Sequence, residues 1–318
     1  MHIIKGTEAI PVKYPVFLIF GQPGICKTSL AYSCADPLLL DWDKGAHRAA
    51  NRRDTLEINA WADMVELMET RGALDPYKTI VADTVGRCLD AITADIADND
   101  PKKAPGGNLS QQGWGVLKSR FRQHVAALRA LGKDLLLVAH DKEDKDGDTR
   151  IVRPEVVGGS YGEVMKTADF VGYLYMSGKD RVLDFNPTDR WIGKNPGGWA
   201  PFKVPPIGKA TEFMARLYDL GREALGNISE ANAAFARQVD EWRTAIEAFG
   251  NATDCNRGLS ELVKAKPDVI VEQQVKKLLA DRSKVIGVKY DTAKRAFVDP
   301  PAPAKPVERE LTASDIGF

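Results

Sequence analysis

The chain has 318 residues, enough for one full α/β core and a smaller appendage. Lys and Arg together number 44, as do Asp and Glu, so the formal net charge is zero and coating of nucleic acid through bulk charge is excluded. The four cysteines form no C-x-x-C pair and no cluster with the four histidines, which argues against a disulfide framework or zinc site and for a reducing compartment.

Apolar runs alternate with helix-like stretches over the first two thirds, the pattern of a mostly parallel sheet covered by helices. Residues 16–20 are continuously apolar up to Gly21 and predict the first buried strand, with a helix expected over residues 27–34. Residues 38–40 predict a second strand ending at Asp41-Trp42-Asp43, and residues 56–58 a short third. An amphipathic helix is expected around Trp61, Val65 and Met68. Residues 79–82 predict a strand ending at Asp83, followed by a helix through Leu89, Ile92 and Ile96. A polar loop over residues 99–112 precedes a helix marked by Trp114, Leu117, Phe121, Val125 and Leu128. Residues 135–139 predict a strand closed by His140, with a charged loop over 141–150. Strands over 170–176 and 182–185 are joined as a hairpin.

From about residue 205 the pattern turns helical, and a small unit is expected over 258–298 with helices near 259–263 and 269–286. The organisation expected is therefore a core over 1–205, a helical region over 206–298, and a Pro-rich linker with an acidic-to-aromatic, disordered tail over 299–318. No apolar run approaches a membrane span and no secretory pattern opens the chain, so a cytoplasmic protein without a membrane partner is expected.

Gly21-Gln22-Pro23-Gly24-Ile25-Cys26-Lys27-Thr28-Ser29 follows a predicted strand and opens a predicted helix, the context a phosphate loop requires. Loop N–H groups and the helix start would face phosphates, Lys27 would reach the β and γ phosphates, and Thr28 would offer its hydroxyl to Mg²⁺. ATP and Mg²⁺ are thus the expected cofactors. The pattern calls for a second glycine where this chain has Cys26, whose Cβ narrows or strains the loop and weakens nucleotide handling. Asp83, closing a buried strand, is the expected second Mg²⁺ ligand, the competing role being the start of a turn. Asp43 is favoured over Asp41 as the carboxylate that orients the attacking water, a solvated turn being the alternative for either. His140 either senses the γ-phosphate or caps its strand. Lys194 is a candidate finger reaching a neighbouring subunit's phosphates.

A phosphate loop, a strand ending in Asp-x-Asp, a strand ending in Asp-Thr and a strand ending in His resemble, in that order, the RecA-like P-loop NTPase core. More closely they resemble the phage ATPases of the single-strand annealing type. The likeness rests on residues 21–29, 38–48, 79–86, 109–117, 135–140 and 169–175, within residues 10–205. The unit over 258–298 looks like a small module appended to phage recombination proteins. This resemblance implies an ATPase stimulated by single-stranded DNA that promotes annealing, assembles as a ring or filament, and works in the infected cell's cytoplasm. Lys102 and Lys103, then Lys142, Lys145, Arg150 and Arg153, are candidate phosphate-backbone contacts, with Trp114 or Tyr161 for base stacking. Asp141, Glu143, Asp144, Asp146 and Asp148 partly cancel that charge, and Trp114 fits a core face. The tail over 314–318 resembles the tip of bacterial single-strand-binding proteins and would recruit such a protein or its partners; a frayed end is the alternative. A helicase-like motor or loader, and a nucleotide-gated scaffold that never hydrolyses ATP, are the competing readings.

Overall fold

The computed structural model describes residues 3–300 except 147–148 and 157–159. Two compact units divide the chain: Pro11–Ile228, and Met1–Ile10 together with the residues from Ser229 onward.

The first unit is a mostly parallel α/β sheet of nine strands among the described residues. Strand β1 (Val16–Gly21) lies between β5 (Asp134–Asp146) and β7 (Phe170–Ser177), parallel to both. β4 (Thr79–Asp83), β2 (Pro37–Asp41) and β3 (Thr55–Glu57) extend the sheet from β5, all parallel. Beyond β7, β8 (Asp180–Asp184) and β9 (Phe202–Val204) add antiparallel. Every residue of β1, β2 and β4 is buried, as apolar runs without alternation require when helices cover both faces.

The pleat of β1 divides its side chains between two cores. Val16, Leu18 and Phe20 pack on the side of α2 (Trp61–Glu69), α3 (Val85–Asn99) and α4 (Gln111–Ala130). Phe17 and Ile19 pack on the side of α1 (Lys27–Ala31) and the start of α6 (Phe213–Glu247). Phe17 stacks on Phe170 at 4.5 Å between ring centroids. Arg222 of α6 holds both oxygens of buried Asp134, at 3.0 and 2.9 Å, so the carboxylate opening β5 is compensated.

Two expectations need correction. The first helix stops at Ala31 rather than running to residue 34, because Ser33 N and Cys34 N tighten into bonds to the carbonyls three residues back. The charged stretch after His140 is not a loop: β5 continues through Asp146 and pairs antiparallel with β6 (Thr149–Pro154). Its opposite charges stabilise that hairpin, through ion pairs of Arg150 with Glu143 and of Arg153 and Lys142 with Asp144. A short helix α5 (Tyr161–Thr167) follows, with the Arg153 guanidinium 5.1 Å from the Tyr161 ring centroid.

In the second unit, α7 (Ala252–Ala265) and α8 (Val269–Val285) pack with a hairpin of β10 (Lys289–Asp291) and β11 (Ala296–Val298). Their shared core holds Phe249, Cys255, Leu262, Val275, Leu279 and Phe297. Asn251 and Asp268 cap α7 and α8 by accepting from Asp254 N and Ile270 N. Most of the linker and the whole acidic-to-aromatic tail, residues 301–318, lie outside the described residues, as do Asp148 and the side chains of Lys145 and Asp146. No described helix is long and apolar enough to cross a membrane.

Candidate functional site

Parallel strands deliver their C-terminal ends to one edge of the sheet, where α/β folds place their ligands. The register aligns Gly21 with His140, and Asp41 with Asp83, which itself pairs with Val138. Three strand ends, and the point in β5 where its pairing with β1 stops, therefore supply the candidate residues that the sequence singles out.

The turn after β1 is shaped by its glycines. A Cβ at Gly21 would collide with the Leu174 carbonyl, and Gly24 has φ +80° with open space around it. Cys26 adopts φ 70°, ψ 32°, a left-handed conformation that glycine enters without cost and a cysteine does not. Arg181 of β8 braces this point, donating from Nε to Ile25 O at 3.1 Å and from Nη2 to Cys26 Sγ at 3.4 Å.

Lys27 is only 6% exposed. Its Nζ donates to Gly21 O at 2.7 Å and Gln22 O at 2.9 Å, and stands 3.4 Å from His140 Nδ1. Burial pulls its pKa down, and the fields of Asp83, Asp141 and Asp43 oppose that. Thr28 Oγ1 donates to Asp83 Oδ2 at 2.6 Å. Burial pushes the Asp83 carboxyl up to about 6, against the Thr28 bond.

Asp43 Oδ2 lies 3.2 Å from His140 Nε2, while its Oδ1 faces Arg87 Nε at 3.3 Å and Thr84 Oγ1 at 3.4 Å. The His140 hydrogen bond leads the causes that hold its pKa below the ordinary range, with burial acting the other way. A lysine ammonium at Nδ1 and a carboxylate at Nε2 select the imidazole tautomer protonated on Nε2. Lys27, His140 and Asp43 thus form one continuous polar chain. Asp41 is spent elsewhere: it accepts from Gly45 N at 3.0 Å and Ala46 N at 2.9 Å, fixing the turn after β2. Ser29 Oγ accepts from Ala50 N at 3.0 Å.

These groups line a cleft of about 240 Å³ that also includes Pro23, Gly24, Cys26 and Arg48. A second cavity of about 580 Å³ shares Asp43, Arg48 and His140 and reaches Thr84, Arg87 and Glu155. Nucleotide with Mg²⁺ fits the residues present. Lys27 is a buried cation with no carboxylate in ion-pair range among the described residues, so an anion is the partner that it lacks. Thr28 and Asp83 together present hard oxygen donors of the kind Mg²⁺ takes.

A family model described as AAA domain matches residues 13–196. The chain belongs to the AAA domain family. No curated protein matches it. The AAA domain of this chain runs from the residues before β1 past β8 and contains the phosphate loop, Asp43, Asp83 and His140. It is a nucleotide-binding P-loop ATPase domain, on the mixed α/β, mostly parallel sheet expected for it.

Several other candidates take up different positions. Trp114 packs against the core of the AAA domain, and Tyr161 packs there too, beneath Arg153. Lys103 pairs with Asp100 at 2.6 Å. Lys194 Nζ donates to Ala168 O at 2.6 Å, which ties it to its own chain. Arg48, Arg87, Thr84 and Arg181 were not singled out as site residues from the sequence. Thr84 and Arg87 follow Asp83 directly as the N-cap and first turn of α3, a usable signal, whereas Arg181 comes from a distant antiparallel strand that no local pattern links to the loop.

Proposed function

We propose that the protein hydrolyses ATP with Mg²⁺ and uses nucleotide state to control binding to single-stranded DNA and the annealing of complementary strands. The observation that carries the hydrolytic part is the polar chain from Lys27 through His140 to Asp43, beside the Thr28–Asp83 pair. Bound Mg²⁺–ATP would supply the electrophilic γ-phosphoryl group and a metal ion to neutralise its charge. Lys27 would turn from the Gly21 and Gln22 carbonyls to hold the β and γ phosphates, and Thr28 and Asp83 would hold the ion. Asp43 would orient the attacking water; its three hydrogen-bond donors make it a weak base until one is released.

His140 links this site to the rest of β5. Once Lys27 moves to the phosphates, His140 Nδ1 loses its partner, and the strand carrying it continues directly into the β5–β6 hairpin. The hairpin's Lys142, Arg150 and Arg153 would meet a phosphate backbone after exchanging their carboxylate partners for it, so DNA binding should weaken steeply with salt. The DNA reading rests on these basic residues and on the resemblance to phage annealing ATPases, and a ring or filament is what the likeness to RecA-like cores leads us to expect. A nucleotide-gated scaffold is the second reading, favoured by strained Cys26 and by the three donors on Asp43.

The test is ATP turnover with and without single-stranded DNA, on wild type and Lys27→Ala. Turnover raised several-fold by DNA and lost in the variant is the expected result. Turnover indifferent to DNA would remove the DNA reading, and no turnover with intact nucleotide binding would favour the scaffold.

A further inference from the structure

The second unit carries a groove of about 620 Å³. Leu279, Val288 and Phe297 form an apolar floor and Tyr290 one wall. The Tyr290 ring stays 47% exposed although it packs edge to face on Phe297, at 5.1 Å between centroids. Lys276, Lys284 and Lys289 line the same groove, all three exposed, and no carboxylate lines it among the described residues. Lys276 and Lys284 pair with Glu272 and Asp281 along α8, whereas Lys289 joins no ion pair among the described residues.

The charge selects among the ligands that an apolar floor would accept. From Asn251 to Pro300 the chain has ten Lys and Arg against seven Asp and Glu, a local excess of positive charge in a protein whose net charge is zero. Lys276 and Lys284 are eight residues apart on one helix, about 12 Å along its axis, and Lys289 adds a third cation from β10. Cations spread over that length suit an anion that repeats rather than a single carboxylate. An exposed aromatic ring beside them offers a face on which any base can stack. We propose that this groove binds single-stranded nucleic acid, with a base on Tyr290 over the apolar floor and phosphates at Lys276, Lys284 and Lys289. This rests on the reading that the protein binds single-stranded DNA, and adds to the β5–β6 hairpin a contact outside the AAA domain that needs neither ATP nor hydrolysis. The exchange of Glu272 and Asp281 for phosphates costs little, because exposed pairs along a helix contribute little.

The test is binding of a labelled thymidine oligonucleotide, about twenty nucleotides long, to the full chain without nucleotide, read by fluorescence anisotropy over a range of salt. Tyr290→Ala should weaken binding about tenfold with an unchanged melting temperature, while Tyr290→Phe stays within about twofold of wild type. Lys289→Glu should weaken binding as well, and Lys289→Ala should lower the slope of log affinity against log salt by about 0.7. An oligonucleotide carrying 5-iodouracil should crosslink to the peptide that contains Tyr290. Affinity unchanged in the Tyr290 and Lys289 variants but lost in Lys142→Glu with Arg150→Glu would overturn the proposal and leave the hairpin as the DNA contact. No binding by wild type would overturn both readings. Unchanged DNA affinity, with capture of a glutamate- and phenylalanine-rich peptide that Lys289→Glu abolishes, would also overturn it and assign the groove to an acidic protein partner.

Discussion

At Cys26 the backbone sits at φ 70°, ψ 32°, which costs a residue with a Cβ about 1 kcal/mol. Cys26→Gly should remove that strain and raise the melting temperature by about 1–3 °C, after allowing for the freer unfolded chain. It should also tighten nucleotide binding; unchanged melting and affinity would show that the Arg181 brace already absorbs the strain. Asp83 stores energy differently. Its carboxyl is raised by burial from an ordinary 3.8 to about 6, so the folded protein binds this proton more tightly than the unfolded chain does. That contribution is full below about pH 4 and lost as pH rises through about 6, a loss on the order of 3 kcal/mol. Asp83→Asn should therefore melt higher than wild type at pH 8 without nucleotide, yet gain nothing from Mg²⁺ and ATP. Calorimetry at pH 5 and pH 8, with and without both, reads both effects. Lys27, Thr28, Asp83, Asp43 and His140 were legible because Lys27 and Thr28 open the helix after β1, Asp83 and Asp43 end or follow a strand, His140 closes the apolar run of β5, and a parallel sheet brings these points together. Arg181 and Arg48 were not, because their approach depends on strand order and turn shape.

The β5–β6 hairpin shows what periodicity misses at the scale of the element. Residues 141–150 have no apolar alternation, so they read as a loop, but their opposite charges pair across and along the ladder. The buried strands were legible because continuous apolar runs admit few other structures. Helices α2 and α4 meet through Trp61 and His124, whose rings are 5.4 Å apart, edge to face. Burial pushes the His124 pKa down to about 4. The folded state thus binds this proton more weakly than the unfolded chain, whose histidine titrates near 6.5. The stability this contributes is full above about pH 6.5 and is lost as pH falls toward 4. His124→Phe should keep the ring contact and remove that loss. Its melting advantage over wild type should grow steadily from pH 7 to pH 4.5; a constant difference would mean that His124 is not held neutral by the fold.

For the whole molecule, the AAA domain family model covers residues 13–196, and the groove-bearing second unit lies beyond it. The sheet places Lys27, His140 and Asp43 in one chain of polar contacts, and hydrolysis is the chemistry we propose for it. The most direct measurement is single-turnover hydrolysis of ATP by Asp43→Asn, with nucleotide affinity measured on the same preparation. Affinity near that of wild type with hydrolysis slowed about 100-fold is the expected result for a residue that orients water. Hydrolysis at the wild-type rate would contradict it and remove Asp43 from the reaction.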